Sequence, residues 1–433
     1  MMAPVVDHVI RAPHAVINGG ACAAAIGLAD GMIRVVGEFD ADLGCTAHTV
    51  LESDVVLMPG LVDTHVHIND PGTDWEGFAS ATSAALAGGI TTVVDMPLDS
   101  DPVTTTVAAL DAKRSAAAGA CRVDTEFWGG VVPGNIGSLR ELAAAGVLGF
   151  KCFLSASGNP NFPPLDITEF RAAMTVVAEL DSVLLVHAES ARMLAGCPAP
   201  AGRSYGDFLR SRPDAVELDA VQIVLDAVAD TGARAHIVHV SSAEVLPLIA
   251  AAKAAGLPVT AETCPHYLTF AAEDIADGAT LFAACPPIRG AENRDRLWAG
   301  LADGTLDMVV SDHSPCAGEY KDLHTGDFGR AFGGISSLQI ALAAVWTQAA
   351  RAGFGLPDVC RWMAQAPAEL AGLTDRGVIA PGKRADFCVF DPAATGVVRG
   401  ADLHHRHPIT PYEGVELKGA VRQMWRGGVP EAA

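Results

Sequence analysis

Between residues 58 and 375 the chain alternates two kinds of apolar pattern. One is short, continuous and rich in β-branched residues: "ITTVVDMP", "VLGFKCFL", "SVLLVHAES", "ARAHIVHVSS", "LPVTAETCPHY" and "TLDMVVSDHSP". The other is alanine-rich with helical spacing: "ASATSAALAGG", "LRELAAAG", "FRAAMTVVAEL", "AVQIVLDAVADTG", "EVLPLIAAAKAAG" and "NRDRLWAGLADG". Continuous apolar runs predict strands buried on both faces, and strands alternating with helices predict a parallel sheet. Seven or eight such units in series predict an α/β fold, a closed (β/α)8 TIM-type barrel rather than an open sheet. Outside this stretch the texture is strand and turn. "HAVINGG", "DGMIRVVGEF" and "HTVLESDVVLMPG" place glycines and aspartates between β-branched runs, which predicts hairpins. The same texture returns at "GVIAPGKRADFCVFDP". The expected organisation is therefore a barrel over 58–375 inserted into a small β-sandwich domain built from both termini, 1–57 and 376–433.

Composition narrows the function. Hydrophobic residues make up 50% and charged residues 18%, so a large core is expected and disorder is not. A formal charge of −22 would repel nucleic acid or an anionic membrane, which leaves a small molecule as the expected partner. No run reaches the ~20 apolar residues that span a bilayer, and "MMAPVVDHVIRAPHAV" does not read as a leader. The ten cysteines are scattered without a CxxC pair, the pattern of free thiols in a reducing compartment. A cytoplasmic protein is expected.

The candidate chemistry sits at strand ends, where barrel enzymes build their active sites. "THVHIND" puts His65 and His67 two residues apart, hence on one strand face, where two neutral imidazoles could share a metal ion. The alternative is a polar strand end. Further runs end in Lys151, His187, His239 and Asp312. Lys151, one of only six lysines, is enclosed by Leu148, Phe150, Phe153 and Leu154. Burial there should lower its pKa and expose a neutral amine able to take up CO2 as a carbamate, a carboxylate-like ligand for two metals. A salt-bridged or snorkelling lysine is the alternative. His187 reads equally as ligand or core histidine. His236 and His239 are three apart, so alternation admits one of them inward; His239, nearer the strand end, is the better ligand and His236 the structural residue. Asp312 beside His313 poses the same choice. Core packing gives no reason to repeat polar residues at five strand ends, so together they argue for a metal site.

The motifs "PGLVDTHVHIND", "GFKCF", "LLVHAES", "HIVHVSS", "ETCPHY", "CPPIR" and "VSDHSPC" resemble the cyclic-amidohydrolase branch of the amidohydrolase superfamily over residues 55–390, and within it the allantoinase family. The resemblance implies two divalent ions per subunit: His65 and His67 on one, His187 and His239 on the other, carboxylated Lys151 (N6-carboxylysine) bridging, and Asp312 completing the first. Zinc is most usual, with cobalt, manganese or iron accepted by some members. It further implies hydrolysis of the cyclic amide of allantoin to allantoate. A metal-bridging hydroxide would attack, with Asp312 as general base and then acid, in a homotetramer. Asn69 stands where dihydroorotases carry arginine, and Ala156 where hydantoinases and dihydropyrimidinases carry tyrosine. "SASGNPNFP", "WEGF", "FGGISSLQ" and "HPITPYEG" match the allantoinases. Asn69, Ser157, Cys285 and Gly334 are the implied substrate contacts. Departures are Asp70-Pro71-Gly72-Thr73, where Glu-Pro-Gly-Arg is usual, and Cys285, where serine or alanine is usual. His266 and Arg289 stay open between substrate and structural roles, and "GEYKDLHTGDFGRAF" reads as a polar lid. The rival readings are a hydantoinase or dihydropyrimidinase and, from a different class, a non-catalytic metal-binding scaffold.

Overall fold

The computed structural model describes residues 6–431; residues 1–5 and 432–433, which fall within the expected terminal ranges and the segment read for a leader, lie outside the described residues. Five strands come first: β1 (His8–Ile17), β2 (Gly20–Ala29), β3 (Met32–Gly37), β4 (His48–Val50) and β5 (Val56–Pro59). β1 and β2 pair antiparallel, as do β2 and β3. Their turns are Asn18-Gly19 (φ 51° and 74°) and Asp30-Gly31 (φ 52° and 72°). These are the residue pairs that two-residue hairpins with left-handed turns require. The third expected hairpin is not formed. β4 and β5 instead pair parallel to β1, because the connection over 38–47 carries the chain across rather than turning it back.

β6 (Leu61–Val66), β7 (Ile90–Asp95), β8 (Asp124–Phe127), β9 (Gly129–Gly130), β10 (Phe150–Phe153), β11 (Val183–His187), β12 (Arg234–Ile237), β13 (Val259–Thr263) and β14 (Met308–Val309) follow, with helices between most of them. All pair in parallel, in the orders β6-β7-β8 and β9-β10-β11-β12-β13-β14. Only Trp128 separates β8 from β9. Past β14, an isolated parallel bridge joins His313 to Val66, and the His67 N–H donates to the His313 carbonyl at 2.8 Å. The last strands, β15 (Phe387–Val397), β16 (Glu416–Arg426) and β17 (Val429–Glu431), return to the N-terminal strands. The resulting eight-stranded sheet runs β17-β16-β15-β5-β1-β2-β3, with β4 beside β1.

The helices follow from local signals. In Ile167–Glu179, Asp166 accepts from the Glu169 N–H at 2.8 Å and the Glu169 carboxylate accepts from the Asp166 N–H at 3.2 Å. This reciprocal cap satisfies two otherwise free donors. The helix buries Phe170, Ala173, Met174 and Val177, one stripe at helical spacing. Each large side chain buried this way contributes about 1.5–3 kcal/mol.

Alternation along the parallel strands sorts side chains into two cores. Leu184 and Val186 of β11 join the large cluster shared with the helices. Val183 and Leu185 join a smaller cluster with Val94, Met96, Trp128, Phe153, Val238, Met308 and Val310. His187 has the parity of the second set, as Lys151 has that of Phe153, so both aim at the interior side of the strands.

Candidate metal centre

His65, His67, Lys151, His187, His239 and Asp312 all line one cavity of about 650 Å3 at the C-terminal ends of the parallel strands. His65 and His67 present rings 5.4 Å apart from one face of the chain. Asp312 Oδ1 lies 3.1 Å from His65 Nε2 and 3.5 Å from His67 Nε2. Donor atoms of these three residues lie within 4.8 Å of one another. Across the cavity, His187 Nδ1 and His239 Nε2 are 2.9 Å apart. Lys151 is 1% exposed and its Nζ has no hydrogen-bond partner.

His239 reaches this cavity by a route that alternation does not supply. His236 shares the parity of Val238 and is held inside by Thr260 Oγ1 and Glu262 Oε2, each at 2.8 Å. His239 should then point outward, but its backbone is left-handed, with φ 40°, which turns the side chain back. Both histidines therefore look inward, and the expectation that only one could is corrected. Asp312 also has a left-handed backbone, with φ 43°. Such conformations cost about 1–3 kcal/mol and cluster at functional sites. His313 takes the other side: its Nε2 faces Glu76 Oε2 at 3.1 Å, which gives "WEGF" a place behind the site.

Buried carboxylates orient the imidazoles, and these partners escaped the sequence reading. Glu262 binds His65 Nδ1 with one oxygen and His236 Nε2 with the other. Glu189 holds His187 Nε2 at 2.8 Å and is itself paired with Arg212. The bond at one ring nitrogen fixes the other as the free donor, so His65 offers Nε2 and His187 offers Nδ1 to the cavity. Both glutamates sit at strand ends, in "TAET" and "HAES", a signal that parity with the histidines could have revealed. Burial opposes ionisation of Glu262, yet His65 and His236 hold it down to about 2. Burial likewise works against Asp312, but His65, His67 and His239 keep it well below the ordinary aspartate value.

The donor set suits cations. Burial lowers the pKa of His65 and His187, and that of His239 further, so these imidazoles are neutral and have lone pairs to give. Burial also lowers Lys151 to about 8, against the pull of Glu262 and Asp312. Lys151 Nζ, His67 Nδ1 and His239 Nδ1 are buried without partners, which a protein rarely tolerates unless something else binds them. Cys264, His266 and Asp312 form a second close group. Burial drives the Cys264 thiol well above its usual range, however, and a protonated thiol is a poor ligand.

Of the implied substrate contacts, Ser157 and Cys285 line the cavity, whereas Asn69 and Gly334 do not. Asn69 is buried with its Nδ2 donating to the Pro315 carbonyl at 3.4 Å, and Gly333 lines the wall beside Gly334. Ala156 also lines it. Thr73, one of the departures, faces the cavity; the hydroxyl donates to the Asn69 carbonyl at 2.6 Å. Arg289 is paired with Glu217 at 2.7 Å and Asp214 at 3.1 Å and does not line the cavity. His266 is buried outside the lining, with both ring nitrogens unpartnered. Phe328, Gly329, Ala331 and Phe332 bring the polar loop onto the cavity.

Parallel strands that bring four imidazoles, a lysine and a carboxylate onto one cavity define a metal-dependent hydrolase. The chain belongs to the amidohydrolase family, whose family model, described as "Amidohydrolase family", matches residues 56–430. Within that family it is 50% identical over 424 residues to the allantoinase of Streptomyces avermitilis, covering 98% of this chain and 95% of the relative. It is 44% identical to the allantoinase of Saccharomyces cerevisiae, covering 87% and 83%. Among solved structures it resembles the L-hydantoinase (dihydropyrimidinase) from Arthrobacter aurescens. The TM-score is 0.91 at 28% identity, covering 99% of this chain and 96% of that one. Among the described residues no helix is long and apolar enough to cross a membrane.

Proposed function

We propose that the chain hydrolyses the cyclic amide of allantoin to allantoate, using two divalent ions held at the strand ends. The observation that carries this reading is the convergence of six donor residues on one cavity with Lys151 Nζ left unpartnered. His65 and His67 would hold one ion with Asp312, and His187 and His239 the other. Lys151, carboxylated by CO2 to N6-carboxylysine, would bridge them. Zinc is the proposed metal, with cobalt, manganese or iron as substitutes. When bound, such ions lower the pKa of water and polarise a carbonyl oxygen.

The chain's own residues do the rest. Glu262 and Glu189 hold His65 and His187 in the tautomers that leave a lone pair toward the cavity. Asp312, a carboxylate at neutral pH, takes the proton of the attacking water on one oxygen and delivers it to the leaving ring nitrogen. Ser157 and the wall at Cys285 and Gly333 orient the ring, with Gly334 next in that wall and Asn69 tied to the Pro315 carbonyl. Ala156 leaves space where hydantoinases carry a tyrosine.

β6 to β14 would close into a (β/α)8 barrel, supported by the bridge from His313 to Val66. The terminal ranges 1–57 and 376–433 would form one small β domain, a sandwich, around the barrel at 58–375. Ten free cysteines fit a cytoplasmic enzyme, and a homotetramer is proposed from resemblance. The test is turnover of allantoin beside dihydroorotate, dihydrouracil and hydantoin with zinc- or manganese-loaded protein in bicarbonate buffer. Preference for allantoin is expected. Preference for hydantoin or dihydrouracil would favour the alternative suggested by the hydantoinase-like fold, and metal binding without turnover would favour a scaffold.

A further inference from the structure

The loop over 318–332 carries one lysine, Lys321, at the end of the single turn Gly318–Lys321. It is 4% exposed. Its ammonium donates to the carbonyls of Phe332 at 2.8 Å, Ala283 at 3.1 Å and Gly334. It also lies 5.9 Å from the centre of the Phe332 ring. All three ties end on neutral carbonyls, and an ammonium has three protons to give, so its bonding capacity is filled. Burying a cation on neutral partners alone is costly, which calls for a reason.

The reason lies in what the three carbonyls flank. Phe332 and Gly334 bracket Gly333, and Ala283 stands two residues before Cys285; Gly333 and Cys285 both line the cavity. The two segments are packed against each other. The Gly334 N–H donates to the Ala283 carbonyl at 3.0 Å, and a Cβ on Gly333 would come 2.6 Å from Cys285 Sγ. Lys321 does not line the cavity, but its side chain hydrogen-bonds from the loop to both wall segments.

We propose that Lys321 is a positioning residue for substrate: its ammonium holds the Cys285 and Gly333 segments at the spacing that the ring amide requires. This inference rests on the reading that the cavity binds a cyclic amide. The strand-end residues sit on a separate scaffold, so loosening the wall weakens substrate binding and leaves the chemical step largely intact.

The experiment compares wild-type protein, Lys321→Met and Lys321→Gln, each zinc-loaded, with allantoin. The expected result for Lys321→Met is KM raised about ten-fold with kcat within about two-fold. Lys321→Gln, which keeps two N–H donors, is expected to fall between. A readout free of turnover is trypsin cleavage after Arg330, whose side chain is 69% exposed in the same loop and should be cut faster once the tie is gone. Unchanged KM and unchanged cleavage in both variants would overturn the proposal, as would a loss confined to kcat. If Lys321→Met fails to fold, Lys321→Gln decides alone. Wild-type protein that leaves allantoin untouched would defeat the underlying reading, while the trypsin rates would still decide whether Lys321 ties the wall.

Discussion

Lys151 and Lys321 are 1% and 4% exposed, and burial brings each to about 8 from 10.5. By burial and acidity they are twins. Their surroundings separate them: Lys151 Nζ has no partner, whereas Lys321 Nζ is shared among three carbonyls. Depth in the protein therefore does not mark a reactive amine. A free valence facing a cavity does, because only that amine can form a new bond without breaking old ones. The lesson extends to the histidines, where His236 has both nitrogens engaged and His239 Nδ1 has none.

The comparison can be broken most sharply at Lys151. Lys151→Ala is expected to lose at least about 10³-fold in allantoin hydrolysis and to bind less than the full metal complement, measured by turnover and elemental analysis. Full occupancy with normal turnover would remove the bridging assignment. Next in size, Glu262→Gln frees the His65 tautomer and should weaken metal binding about 10–100-fold in a chelator competition. An unchanged competition curve would show that Glu262 serves His236 alone.

A smaller effect tests the wall that Lys321 holds. Gly333→Ala is expected to lower kcat/KM about ten-fold, and adding Cys285→Ala should restore part of it, since the clash is with Sγ. Strict additivity would mean the two segments do not press on each other. The smallest effect is in stability against pH. Folded Lys321 releases its proton near 8, while an unfolded lysine keeps it to about 10.5. The unfolded chain thus binds more protons between these values, and stability from this group rises with pH across that window. In paired melting curves, Lys321→Met should flatten the rise; identical slopes would contradict the buried-ammonium picture.

How much of this was legible in the chain depends on the range of the interaction. The hairpins at Asn18-Gly19 and Asp30-Gly31 and the helix capped by Asp166 rest on contacts a few residues apart, so local residue chemistry announces them. His65, His67, His187 and Asp312 were legible because each closes or follows an apolar strand, and Lys151 because it interrupts one, as the second residue of β10. Parity along the strand is a weaker guide. It places His187 correctly but fails at His239, where one left-handed residue reverses it. Nor did alternation foresee β4 and β5 lying parallel to β1, since pairing partners are not written in a strand's own pattern.

The sequence by itself determined the alternating strands and helices, the strand ends that carry polar groups, the lack of an apolar run long enough for a membrane helix and the family whose motifs it shares. These depend on periodicity and local conformational preference, which a linear chain states directly. Tertiary structure alone decided that Glu262 serves His65 from 197 positions away, that Arg289 pairs with Glu217, and that Lys151 is left free while Lys321 is bound. Such choices turn on which groups meet after the chain has closed on itself. Periodicity can show that a residue faces the interior, but it does not name the distant partner that the residue meets there.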